Sequence, residues 1–199
     1  MNGATEDTNS QLFDEYFRRT QELPLASQTQ EFLNVIPQHG RILDFGCGTG
    51  RWALAFLRDR PDLTIDLVDK NLNRSNLIPP DWMGEKFHAN FTDFTPSKTY
   101  DAIWAFSALF FLSLKDICRV MHTLSNTLGS RGIIAFTMVD DCINATTANF
   151  TGMNRQAIEQ MLQKEHLIPI SIQLDHETEY GGAKLKIPTF YIRARKIAA

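Results

Sequence analysis

Two carboxylates and a run of glycines are the residues in this chain best suited to chemistry. The run is Asp44-Phe45-Gly46-Cys47-Gly48-Thr49-Gly50, and it overlaps the end of the apolar stretch Arg41–Phe45. Glycines there allow positive φ and let a ligand approach the backbone closely. A helix starting just after them would add unpaired N–H groups. Phosphate or carboxylate could use such a loop, so spacing must discriminate. The dinucleotide fingerprint GxGxxG needs glycine at 46, 48 and 51, and position 51 is Arg. The phosphate-loop pattern GxxxxGK[ST] is absent. Asp44 argues further against a pyrophosphate, because a carboxylate repels phosphate and attracts an ammonium or a sulfonium. Asp69 ends a second apolar run, Leu63–Asp69. As neighbouring parallel strands, the two runs would bring both acids to the C-terminal sheet edge, where open α/β folds bind ligands. A carboxylate there can accept both hydroxyls of a ribose. Alone, Asp69 reads equally well as a solvated turn residue, and the glycines as a tight turn. In register on two adjacent strands, they point to one site.

The elements that must position these residues alternate along the chain. Strand-length apolar runs occur at 41–45, 63–69, 86–90, 100–106, 133–139, 167–174 and 189–196. Ile117, Val120, Met121, Leu124 and Leu128 recur at helical spacing, and Gly129 and Gly132 follow as a stop. Ile158, Met161 and Leu162 mark another helix, with Asn154 placed to cap it. Shorter helices fit Trp52–Arg58 and Gln28–Val35. Such alternation predicts βαβ units and a parallel sheet with helices on both faces. Residues 175–188 are polar, contain two glycines and hold no helical pattern, so the last two strands should form an antiparallel hairpin. The expected class is α/β: a Rossmann-like three-layer αβα sandwich with a mostly parallel seven-stranded sheet and a C-terminal antiparallel hairpin.

Composition narrows the function. The 199 residues suit one domain. With 20 Lys+Arg against 23 Asp+Glu, the net charge of -3 gives no broad attraction for nucleic acid. Cys47, Cys118 and Cys142 form no CxxC pair and no disulfide framework, which fits a reducing compartment. The N-terminus is polar and acidic, unlike a signal peptide, and no apolar run reaches the roughly 20 residues of a membrane span. A cytoplasmic protein with no membrane partner is expected. His39, His88, His122, His166 and His176 show no ligand spacing, so no metal is expected.

The segment ILDFGCGTGR resembles the signature of class I S-adenosylmethionine-dependent methyltransferases, and YDAIWAFSALFFL with LGSRGIIAF resembles their fourth and fifth strands. The likeness runs from about Phe17 to Arg195 and feels nearest to small bacterial enzymes of the tellurite-resistance type. It implies an N-terminal helical lid over 1–40 and a cofactor domain over 41–199. It implies that Gly46, Cys47, Gly48 and Gly50 approach the methionine part of S-adenosyl-L-methionine, and that Asp44 helps hold its amino group. Asp69 would bind the ribose, with the stem of Lys70 along the adenine. Asn90 would meet the adenine amino group, Phe91 would flank the ring, and Ala105 and Phe106 would meet the ammonium end. Tyr16, Arg19 and Thr20 would line the substrate side with Phe110 and Phe111. Three positions depart from the family pattern: Trp52, Phe111 (often His there) and Asp140-Asp141. All three fall on the substrate side.

Phe106, Phe110, Phe111 and Trp104 read together as one aromatic cluster able to stabilise a sulfonium by cation–π contact, or as ordinary core. Cys47 reads as a small loop residue rather than a nucleophile. No nucleic-acid methyltransferase motif is present, and no residue stands out as a catalytic base. The expected activity is methyl transfer to a small molecule. The alternatives are a cofactor-binding module without turnover or a protein methyltransferase, and a nicotinamide dehydrogenase ranks behind both.

Overall fold

The computed structural model describes residues 27–72, 78–142, 150–176 and 187–198. Seven strands form one sheet: β1 (Arg41–Phe45), β2 (Thr64–Asp69), β3 (Lys86–His88), β4 (Tyr100–Ala105), β5 (Leu128–Val139), β6 (Leu167–Asp175) and β7 (Thr189–Lys196). Their order is β3-β2-β1-β4-β5-β7-β6. The first five pair in parallel, and β7 lies antiparallel between β5 and β6. The helices are α1 (Ser27–Leu33), α2 (Arg51–Asp59), α3 (Leu114–Thr127) and α4 (Arg155–Lys164).

Strand alternation splits the core into two layers. Leu43 and Phe45 of β1 pack with Ile117, Val120 and Leu124 of α3 and with Ile158 and Leu162 of α4. Ile42 packs on the opposite face with Phe32 and Leu33 of α1 and with Ala53 and Phe56 of α2. The sheet is therefore covered on both faces, as parallel βαβ units require. The caps follow the sequence: Ser113 Oγ accepts the Asp116 N–H at the start of α3, and Asn154 Oδ1 accepts that of Ala157 at the start of α4. Arg60 fastens the lower end of the α1 layer. Its guanidinium donates to the carbonyls of Leu33, Ile36 and Pro37 and pairs with Asp62, whose carboxyl it holds well below the usual range.

Three boundaries differ from the sequence reading. β5 begins at Leu128 rather than Ile133, directly after α3, so Gly129 and Gly132 lie within an extended segment. Leu128 pairs with Tyr100 while Ile133 already pairs with Ala102, and the bulge between them absorbs the extra residues. β3 stops at His88, and Asn90 belongs to the following turn, where its carbonyl accepts N–H groups of Asp93 and Phe94. β4 stops at Ala105, because Ser107 turns into the left-handed region with φ of 53°. Of the proposed lid, residues 1–26 lie outside the described residues, and α1 is anchored in the core through Phe32 and Leu33. Among the described residues, no helix is long and apolar enough to cross a membrane, and no group of three His, Cys, Asp or Glu could hold a metal.

Candidate functional site

The turn after β1 is built on three glycines in the left-handed region, with φ of 85° at Gly46, 54° at Gly48 and 86° at Gly50. A Cβ on Gly46 would lie 2.6 Å from that of Ala108 and 3.2 Å from Phe91 Cζ, and one on Gly50 would overlap Ile78. Both geometry and space demand glycine here. Four of the loop's N–H groups, those of its three glycines among them, are accounted for within the protein. Gly46 and Cys47 donate to the Val68 carbonyl at 2.8 and 3.1 Å, and Gly50 donates to that of Cys47 at 2.9 Å. Gly48 donates to Asp69 Oδ2 at 2.9 Å. A phosphate cradle needs such groups pointed at the ligand. This loop instead offers a close, nearly apolar approach, which suits the methionine part of a cofactor and not a pyrophosphate.

Asp44 and Asp69 stand on adjacent strands, with Phe45 of β1 in register with Val68 of β2. Asp44 is buried, and its Oδ2 has no hydrogen-bond partner among the described residues. Burial, and next the charge of Asp69, push its carboxyl up to about 8, while the Ala53 N–H pulls the other way. A buried, under-satisfied carboxylate is expensive unless a cation completes it. The ammonium of a bound amino acid is such a cation, so this orphaned oxygen fits the cofactor. Asp69 also accepts the Asn71 N–H at 2.7 Å on Oδ1. Each of its oxygens thus holds one backbone donor and keeps a second lone pair for a ribose hydroxyl.

The adenine side assembles beyond β2 and β3. Lys70 is exposed, and its carbonyl accepts the His88 Nε2–H at 2.7 Å. This bond orders the turn after Asp69 and gives His88 a positioning role that the sequence did not suggest. Asn90 Nδ2 donates to Asp93 at 3.1 Å, which leaves its amide oxygen as the end that can meet an amino group. Phe91 packs on Phe45 with centroids 4.6 Å apart and closes over Gly46. Ile78, against Gly50, carried no signal in the sequence.

The aromatic residues after β4 do not form one cluster. Phe106 stacks on Trp104 at 3.6 Å and 5°, and meets Trp52 and Tyr191 at 5.8 and 5.6 Å, all on the α1/α2 face. Phe110 and Phe111 turn to the opposite layer and pack on Phe150 at 5.1 and 5.3 Å. The reason is the turn at Ala105–Ser107 followed by the short 3-10 turn Leu109–Phe111, which breaks strand parity. The structure therefore places Phe106 on Trp104 at the end of β4 and sends Phe110 and Phe111 toward Phe150. Ala105 is buried at the end of β4, paired with Phe136. Tyr16, Arg19 and Thr20 lie outside the described residues. Asp140 and Asp141 are occupied structurally, accepting the Cys142 N–H and the Asn154 amide. Cys47 is buried, and the Cys142 thiol is pushed up by its hydrogen bond to Asp140, so neither is a poised thiolate.

Comparison with known proteins identifies the family and the fold. Residues 16–175 match a family model described as a methyltransferase domain. TehB from Haemophilus influenzae superposes with a TM-score of 0.73 at 15% identity, covering 93% of this chain and 67% of that one. A 1,6-didemethyltoxoflavin-N1-methyltransferase from Burkholderia thailandensis, solved with that compound and S-adenosylhomocysteine, gives 0.66 at 13% identity and covers 97% and 88%. The ribosomal RNA small subunit methyltransferase C of Shewanella halifaxensis is 43% identical over 51 residues, which is 25% of this chain and 15% of that relative's length. With that family match over most of its length, and the glycine loop and two acids side by side at the ends of β1 and β2, the chain belongs to the class I S-adenosylmethionine-dependent methyltransferases.

Proposed function

We propose that this methyltransferase acts on a small molecule, with the cofactor held by the residues described above. The observation that carries the cofactor arrangement is the orphaned Asp44 Oδ2 beside a loop whose glycine N–H groups are spent internally. When bound, S-adenosylmethionine supplies an electrophilic methyl group for in-line displacement. Asp44 would take the ammonium, Asp69 and the Asn71 turn the ribose, and Asn90 and Phe91 the adenine. Ala105 and Phe106 would border the sulfonium side. None of the described residues near that edge is arranged as a base, so the protein contributes by positioning and by excluding water. An acceptor that is nucleophilic without deprotonation suits such a site. Residues 1–40 read as a lid segment on the domain formed by 41–199, and a cytoplasmic setting fits three cysteines too few for a disulfide framework.

The small-molecule reading is supported by the toxoflavin-type neighbour and by the net charge of -3, which offers little to a phosphate backbone. An RNA acceptor has one observation in its favour, the 51-residue match to a ribosomal RNA methyltransferase. Titration calorimetry with S-adenosylhomocysteine, followed by transfer of labelled methyl to a metabolite pool and to ribosomal RNA, decides between them. Label in small molecules supports the proposal, and label only in RNA overturns it.

A further inference from the structure

The buried run 133–139 of β5 contains one polar residue, Thr137. It is 1% exposed, and among the described residues its hydroxyl meets a single partner, the Ser107 N–H at 2.8 Å. A valine would fill the same space with no polar group to desolvate, so a hydroxyl buried here calls for a reason. Alternation along β5 puts Thr137 on the α1/α2 face with Ile133 and Ala135. The backbone ladder between β4 and β5 ends at Ala105 and Phe136. Beyond that pair the connection passes from backbone to side chain, and Thr137 Oγ1 takes the first N–H after Phe106.

Ser107 is where backbone strain meets the site. Among the described residues, four besides glycine have positive φ: His39, Ser107, Arg131 and His166. His39 and His166 precede β1 and β6, and Arg131 lies near the start of β5, so these three stand at the N-terminal ends of their strands. Ser107, at 53°, alone follows the C-terminal end of a parallel strand, where open α/β sheets bind ligands. That conformation costs free energy in a residue other than glycine, and it persists only where the surroundings hold it. The Ser107 hydroxyl makes no hydrogen bond among the described residues, so the hold is on its backbone. The turn sets the next residue on the glycine loop, since a Cβ on Gly46 would lie 2.6 Å from that of Ala108. On its other side Phe106 stacks on Trp104. Residues 105–108 thus form one wall against the loop, and the shape of that wall depends on one φ.

We propose that Thr137 is a positioning residue for the cofactor site: its buried hydroxyl holds Ser107 in the left-handed turn and so keeps Ala105, Phe106 and Ala108 set against the glycine loop. This role presupposes that the edge holds S-adenosylmethionine, as proposed above. Titration calorimetry of the full chain with S-adenosylhomocysteine tests it. Thr137→Val keeps the shape and removes the acceptor, and should weaken binding by about tenfold. Thr137→Ser keeps the acceptor and should bind within about twofold of the parent. Glycine takes positive φ unaided, so adding Ser107→Gly to Thr137→Val should bring affinity back to within about threefold. Ser107→Val opposes the same φ from a half-buried position and should also lose about tenfold. Tyr100→Phe controls for mere loss of stability. It removes the bond to Asp66 at the other end of β4, and should melt earlier than the parent yet bind equally well. Parent-like affinity in Thr137→Val, or in Ser107→Val where the core variant does not fold, overturns the proposal. So does a loss that Ser107→Gly fails to recover, or an equal loss in Tyr100→Phe. A parent chain that binds no S-adenosylhomocysteine contradicts the reading of the edge itself, whereas a parent that binds it no better than Thr137→Val contradicts the role of Thr137 alone.

Discussion

Two buried aspartates on neighbouring strands meet opposite fates. Asp66, in the middle of β2, is completed by the protein itself. It takes two hydrogen bonds from Arg41 at 3.1 and 3.0 Å, one from Tyr100 Oη at 3.0 Å and one from the Glu85 N–H at 2.8 Å. Asp44, near the end of β1, has an oxygen with no partner among the described residues. Both are sealed from water, yet one is surrounded by donors and the other faces a second carboxylate. Native proteins satisfy buried polar groups almost everywhere, so the exception marks the place where a ligand completes the structure. One aspartate is part of the fold's interior, and the other is proposed as half of a binding interaction.

Removing each carboxylate should separate these roles. Asp66→Ala strands Arg41, Tyr100 and the Glu85 N–H, and should cost about 3 kcal/mol of stability in urea titration. That is the low end for breaking a buried pair, because Arg41 is 34% exposed. Cofactor affinity of the folded fraction should be unchanged, and a loss there would erase the distinction. Asp44→Asn should act in the reverse sense, raising the stability of the ligand-free protein by on the order of 2 kcal/mol while abolishing cofactor binding. The sign follows from a carboxyl raised to about 8 from its ordinary 3.8: the folded state holds a proton that the unfolded state has lost. Wild-type stability from this group is intact below pH 4, falls as pH rises and is exhausted above about 8. The gap between Asp44→Asn and wild type in thermal melts should therefore widen from pH 4 to 8 and then level off. The same proton should leave when the ammonium arrives, so calorimetry at pH 7 in buffers of different ionisation enthalpy should report net proton release.

Asp69→Ala loses both the ribose acceptor and the Gly48 clamp. It should weaken S-adenosylhomocysteine by about 2 kcal/mol, roughly 30-fold, with a smaller effect on melting. Tyr100→Phe is the mildest test. It removes one of several donors to Asp66 and should cost about 1 kcal/mol without touching affinity. Burial, and then the neighbouring Asp66, already hold the Tyr100 hydroxyl well above its ordinary range, so the phenol stays a donor at any working pH.

The contrast also shows what the sequence could and could not disclose. The placement of Asp44, the glycines and Asp69 was legible because it follows from local spacing on two consecutive strands. α3 and α4 were legible from their apolar period and, for α4, the Asn154 cap. Satisfaction is not local. The donors of Asp66 come from positions 41, 85 and 100, and no pattern in one chain pairs them. The grouping of Phe106 with Phe110 failed for a similar reason, since a left-handed residue at Ser107 reverses which layer the following rings enter. The start of β5 was missed because glycines that usually end a helix here sit inside a bulged strand. Tyr191 reaches Phe106 only through the placement of β7 between β5 and β6, which no spacing announces.

That placement has a bearing on how the molecule is made. Among the described strands, β6 has no neighbour except β7, which follows it in the chain. During synthesis, residues 167–175 must wait with both edges bare, displaying Ile168, Ile170 and Leu174 to any passing strand. β1 to β4 can meanwhile pair and close the nucleoside-side pocket from contiguous sequence. A chain stalled before 189–196 would then hold β1 to β5 without the strand that covers their edge, and would risk capture there before it finished folding.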